Sequence, residues 1–100
     1  MTVVGSGGVV IKRWCKSKRF HKEYSGLTND FKDLTDQKLQ DLTQVPMPSG
    51  LKFEKLSGHQ NPDIYTIHVT GNYKCSLEIR EGSKAWLRRV ASHDEIDRAP

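Results

Sequence analysis

The spacing of apolar residues changes once along this chain, at Pro46, Pro48 and Gly50, and that change sets the class of fold. Before it, Phe20, Tyr24 and Leu27 recur at helical intervals, and Phe31, Leu34, Leu39, Leu42 and Val45 fall along one side of a second helix. After it, Tyr65, Ile67 and Val69 alternate with Thr66, His68 and Thr70. Tyr73, Cys75, Leu77 and Ile79 then alternate with Lys74, Ser76, Glu78 and Arg80, the period of a strand. Proline has no N–H to donate and a fixed φ, so the clustered prolines end the helical region. Helices that come first and strands that come later predict an α+β domain rather than alternating βα units.

Local signals fill in the order. Val9 to Trp14 is a short β-prone run, and Ser17 stands where it can cap the helix that follows. Gly26 weakens that helix near its end. Thr28-Asn29-Asp30 offers new capping oxygens, and Asp30 and Asp33 suit the positive end of a second helix dipole. Leu51, Phe53 and Leu56 mark a strand, and His59-Gln60-Asn61-Pro62 a loop. Gly71-Asn72 and Glu81-Gly82 read as hairpin turns, because glycine and asparagine tolerate positive φ. Residues 84–91 form the last strand, with its alternation blurred at Trp86-Leu87-Arg88-Arg89. The expected order is β-α-α-β-β-β(-β): a mainly antiparallel sheet with a helical hairpin on one face. Residues 9–100 make one domain and residues 1–8 a flexible leader. A chain of 100 residues buries about two-thirds of its unfolded surface, enough for one modest core.

The net charge of +4 is unevenly spread. Residues 1–27 carry six Lys or Arg against one Glu, whereas residues 28–50 carry four Asp against two Lys. A basic patch on one element favours a polyanionic partner. No apolar run is long enough to span a membrane, and the glycine-rich start lacks the basic region of a signal peptide. Cys15 and Cys75 are too few for a disulfide framework and read as reduced thiols in a cytoplasmic protein, one disulfide being the alternative. No metal quartet, phosphate-binding glycine loop or serine-triad spacing is visible.

The alternation places His68, Lys74, Ser76 and Arg80 on the sheet face opposite the core. Arg89 and His93 share parity if the last strand runs straight to Ser92. A face without helices has no core to fill, so cations and a proton carrier can converge there on a polyanion. Lys74, Arg89 and His93 are therefore the leading candidates. His21 and His59 read as surface residues, and Asp94, Glu95 and Asp97 as partners of Arg98 or Arg88.

With these segments in place the chain resembles the toxins of bacterial type II toxin–antitoxin pairs, in the RelE/ParE superfamily and of the RelE, HigB and YafQ kind. SKRFHKEY opens the first helix, LSG is followed by IYTIHVTGNYKCSLEI, and RVASHDEIDR closes the chain. The likeness runs over roughly residues 9–98 and rests on the order and spacing of motifs that are each weak alone.

The resemblance implies a cytoplasmic toxin that enters the A site of the 30S ribosomal subunit and cuts the bound mRNA, stopping translation. The 2′-hydroxyl attacks its own phosphate without a metal or cofactor. Such a reaction needs a base, cations about the phosphate and an acid for the leaving 5′-oxygen. Carried over position by position, Lys74 would stabilise the phosphate and Arg89 would neutralise its charge. His93 would be general acid or base, and His68, on the strand it shares with Thr66, base or phosphate binder. Lys16, Lys18, Arg19, Lys22, Lys52, Arg80 and Arg98 would contact RNA, with the first-helix cations set against rRNA phosphates. A cognate antitoxin would cover the cationic face or wrap the helices, with the acidic second helix and the apolar start as contact points. The chain departs from the pattern at Asp97, where the subgroup ends in an aromatic that stacks on a base; Tyr65, Tyr73 and Trp86 are the available replacements. A gyrase-inhibiting ParE-like toxin and a non-catalytic RNA- or protein-binding member are the alternatives that the same fold allows.

Overall fold

A computed structural model describes residues 9–60, 62–81 and 83–100. The leader, Asn61 of the expected loop and Gly82 of the second hairpin signal lie outside them. Strand β1 (Arg13–Lys16) leads into helices α1 (Lys18–Ser25) and α2 (Asn29–Leu42). A 3-10 turn (Ser49–Leu51) and strands β2 (Glu54–Lys55), β3 (Tyr65–His68), β4 (Tyr73–Arg80) and β5 (Lys84–Ser92) follow, and helix α3 (His93–Arg98) closes the chain. The sheet order is β1-β5-β4-β3-β2; β1 runs parallel to β5 and every other pair is antiparallel.

The caps form where the sequence offered them. Ser17 and Thr28 accept hydrogen bonds from the N–H groups of Phe20 and Phe31. The two helices are tied by Tyr24, whose hydroxyl donates to Asp36 at 2.7 Å; that bond raises the phenol pKa to about 12. Phe20, Leu39 and Leu42 pack with Cys75, Leu77, Leu87 and Val90 in one core on the helical side of the sheet. Fully burying each such side chain contributes roughly 1.5–3 kcal/mol. Cys15 and Cys75 are free thiols, and burial pushes the Cys75 thiol pKa up.

Several expectations need correcting. The apolar stripe of α2 is Phe31, Thr35, Leu39 and Leu42, while Leu34 and Val45 are exposed. Thr35 can be buried because its hydroxyl donates to the Phe31 carbonyl. The first strand starts at Arg13 rather than Val9, and the strand expected over Leu51 to Leu56 shrinks to Glu54–Lys55. Neither Gly71 nor Asn72 takes a positive φ. Their turn closes through Thr70 instead, whose hydroxyl accepts from the N–H groups of Asn72 and Tyr73 at 3.1 and 3.0 Å.

The largest difference is α3. Its N-cap, Ser92, accepts from the Glu95 N–H, and the Ser92 hydroxyl donates to the Glu95 carboxylate. The chain therefore does not run on as a strand past Ser92. It folds back over the sheet face that the sequence reading left open, and Ile96 is fully buried there.

Candidate active site

The polar face of the sheet is built by cross-strand pairing. His68 on β3 lies opposite Lys74 on β4, and Thr66 opposite Ser76. On the far side of β4, Lys74 pairs with Ala91 and Ser76 with Arg89. The register between β4 and β5 slips after Ser76, so that Leu77 pairs with Leu87 and Arg88 is the extra residue of a bulge. That bulge is the cause of the blurred alternation. It keeps Leu87 and Val90 both in the core, while Arg88 and Arg89 both reach carbonyls at the end of the chain, those of Pro100 and Ala99.

His93 is brought to His68 by the turn into α3. The two rings meet edge to face with centroids 4.7 Å apart. The His93 N–H donates to the Asn72 carbonyl, fixing the start of α3 to the β3–β4 turn. Burial lowers the pKa of His68, and the neighbouring His93 and Lys74 lower it further against the opposing pull of Glu54. A neutral imidazole beside a cation is a proton acceptor at pH 7. Two polar atoms here are buried without a partner among the described residues, the Thr66 hydroxyl and Nε2 of His93.

The cations do not stand as expected. Lys74 lies on the expected face but is only 6% exposed, and its ammonium pairs with Asp97 of α3 at 2.8 Å. Arg89 is 5% exposed and engaged: it donates to Glu23 at 2.6 Å, to Glu95 at 3.4 Å and to the Ala99 carbonyl at 2.9 Å. These bonds to Glu23 raise its pKa despite burial. Arg89 is thus a clamp between α1, β5 and α3, engaged through all three of its nitrogens. Glu23 also accepts the Val90 N–H, where β5 extends beyond its pairing with β1. Glu95 and Asp97 accordingly pair with Arg89 and Lys74, not with Arg98 or Arg88.

The RNA-binding candidates scatter around this centre. Lys18, Arg19 and Lys22 are exposed and rim an open hollow of about 740 Å³ floored by Leu27, Tyr73, Val90 and Ala91. Lys16 is exposed with its ammonium 4.8 Å from the Tyr24 ring centre. Arg98 and Arg19 share a second hollow with Arg88 and His59. Lys52 is exposed in a left-handed conformation near enough for its charge to reach His68. Arg80 is engaged, donating to Glu78 at 2.8 Å and lying 4.3 Å over the Trp86 ring. Burial would raise the pKa of Glu78, but hydrogen bonds from Arg80 and Arg88 outweigh it and lower the value.

The features that the sequence did not reveal are those that close the site: Glu23 and the helical course of residues 93–98. The signal for α3 was present as Ser92-His93-Asp94-Glu95, a capping sequence at the end of a strand. Nothing in the sequence marked Glu23 as the partner of a residue so far along the chain. Of the aromatic replacements for the residue at 97, Tyr65 stacks on Phe53 and Tyr73 packs on Phe31, so both belong to the core side. Trp86 is opposite Glu78 on the polar face.

No protein-family model and no curated protein sequence matches this chain. Solved structures do. RelE in the archaeal RelE–RelB complex from Pyrococcus horikoshii superposes with a TM-score of 0.63 at 15% identity, over 84% of this chain and 96% of that one. YafQ from E. coli gives 0.62 at 12% identity, over 83% and 94%. The RelB–RelE antitoxin–toxin complex from Methanococcus jannaschii gives 0.61 at 20% identity, over 81% and 92%. Each match spans more than four-fifths of this chain and more than nine-tenths of the other, which fixes the architecture: this protein has the fold of the RelE and YafQ toxins.

Proposed function

We propose that this protein is the toxin of a toxin–antitoxin pair and an endoribonuclease that cleaves mRNA on the ribosome without a metal. The observation that carries the reading is the contact of His68 and His93 beside Lys74, on the polar face of a fold shared with RelE and YafQ. His68, held neutral, takes the proton of the 2′-hydroxyl as that oxygen attacks phosphorus. Lys74 stabilises the charge that builds on the phosphate oxygens. His93 donates the proton that the leaving 5′-oxygen requires, and the products are a 2′,3′-cyclic phosphate and a free 5′-hydroxyl. Arg89 leaves the reacting group and becomes a positioning residue, holding β5 and α3 in register with α1.

Exposed Lys16, Lys18, Arg19 and Lys22 suit rRNA phosphates, which reward clustered charge without base-specific contacts. A cognate antitoxin is the expected partner; RelE of P. horikoshii and of M. jannaschii are both seen bound to RelB. No helix among the described residues is long and apolar enough to cross a membrane. A cytoplasmic site of action follows from the ribosomal substrate.

The test is cleavage of a ribosome-bound mRNA by the purified chain. His93→Ala and His68→Gln should each slow it by roughly 10²–10⁴-fold, the usual contribution of a positioned acid or base. A gyrase-directed toxin would keep growth inhibition with His93→Ala, and that result would refute the nuclease.

A further inference from the structure

Helix α3 is held over the site by charge more than by apolar packing. Ile96 is its one buried side chain. The remaining contacts are polar: Asp97 to Lys74, Glu95 to Arg89, and the Pro100 oxygen accepting from the Ser76 hydroxyl at 3.2 Å and from Arg88 at 3.0 Å. The two sides of these pairs differ in freedom. The side chains of Asp97 and Glu95 are 50% and 53% exposed, whereas those of Lys74 and Arg89 are 8% and 6%. The carboxylates can swing out to water, while the cations are fixed in the sheet. Nε2 of His93, at the start of α3, is also buried without a partner among the described residues, a penalty that opening would relieve.

We infer that α3 is a displaceable acidic cover in which Asp97 occupies Lys74 in place of a phosphodiester of single-stranded RNA. A phosphate reaches Lys74 only when Asp97 leaves. Lys74 is paired in both end states, with Asp97 when covered and with phosphate when open, so neither leaves a bare ammonium buried. Lifting the end of the chain also frees the Ser76 hydroxyl from the Pro100 oxygen, and that hydroxyl can donate to a phosphate oxygen. The identity of the ligand rests on the function proposed above; the covered state of Lys74 does not.

The experiment uses a short single-stranded RNA carrying 2′-O-methyl groups throughout. Such an RNA offers no 2′-hydroxyl to attack, so binding is read apart from cleavage. Fluorescence anisotropy would compare the wild type with Asp97→Asn, which keeps the shape and a hydrogen-bond acceptor for Lys74 but removes the competing charge. Asp33→Asn, on the exposed surface of α2, removes the same charge elsewhere. Asp97→Asn should tighten binding roughly fivefold more than Asp33→Asn, the scale of one partly exposed ion pair. In the wild type, amide hydrogen exchange over residues 93–98 should quicken when the RNA is added. Equal tightening by the two variants, or exchange there that slows or stays the same, would overturn the cover. Failure of the RNA to bind any of the three proteins would instead overturn the phosphate site itself.

Discussion

At their centres the two faces of strands β4 and β5 are both buried, and they are held by opposite physics. On the helical side, Cys75, Leu77, Ala85 and Leu87 are each 0% exposed and Val90 2%, packed against α1 and α2. On the other, Lys74, Ser76, Glu78 and Arg89 are 6%, 0%, 7% and 5% exposed, beneath α3 and the end of the chain. The first face gains from removing apolar surface from water. The second carries ions whose desolvation offsets much of what their pairing returns. Low exposure alone therefore does not mark a core.

Substitutions on the two faces should separate these roles. The largest stability effect belongs to the apolar face: Leu77→Ala should cost about 3 kcal/mol in urea unfolding, through lost transfer energy and the cavity left behind. A loss under about 1 kcal/mol would mean that the sheet is not anchored there. Arg89→Ala should cost about 2 kcal/mol, less than a fully buried pair because Glu23 is 22% exposed. It should loosen α3 as well, seen as faster amide exchange at residues 93–98. Thr70→Ala removes the acceptor that closes the β3–β4 turn and should cost about 1 kcal/mol. Lys74→Met sharpens the contrast most. It should change stability by less than about 1 kcal/mol, since only the half-exposed Asp97 loses its partner, yet it should suppress cleavage.

The smallest effect is on pH dependence. His68 has a lowered pKa in the fold, so between that value and about 6.5 the unfolded chain binds a proton that the folded chain does not. Acidification through this window should therefore destabilise the protein, and the contribution should vanish above about pH 7. His68→Gln should flatten that slope in thermal melts taken across the window. An unchanged slope would show that His68 is no more shielded than a free histidine. The cleavage rate should hold through most of this window and fall only at and below the lowered pKa, where the folded His68 takes up its proton.

Much of this architecture was legible in the chain. The change of period at Pro46 to Gly50 separated helices from sheet, Ser17 and Thr28 announced both helix starts, and alternation in β4 assigned Lys74 and Ser76 to the correct face. These are local signals, carried by residues close in sequence. What stayed hidden depends on pairs far apart. Glu23 and Arg89 meet across most of the chain, and no spacing rule joins them. The bulge at Arg88 shifts parity within β5, and separately the turn into α3 removes the common face that counting by twos gives Arg89 and His93. Asp97 was read as a missing aromatic, when its carboxylate is the partner of Lys74. His68 and His93 were both singled out, but their contact depends on that turn and on the pairing of β3 with β4.

The central claim, that the polar face cuts RNA, is tested most directly by mapping the 5′ ends of cellular mRNA after the protein is induced without an antitoxin. The account predicts new 5′-hydroxyl ends at fixed positions within codons, present with the wild type and lost with His93→Ala. Growth arrest without such ends, or the same ends with His93→Ala, would contradict it.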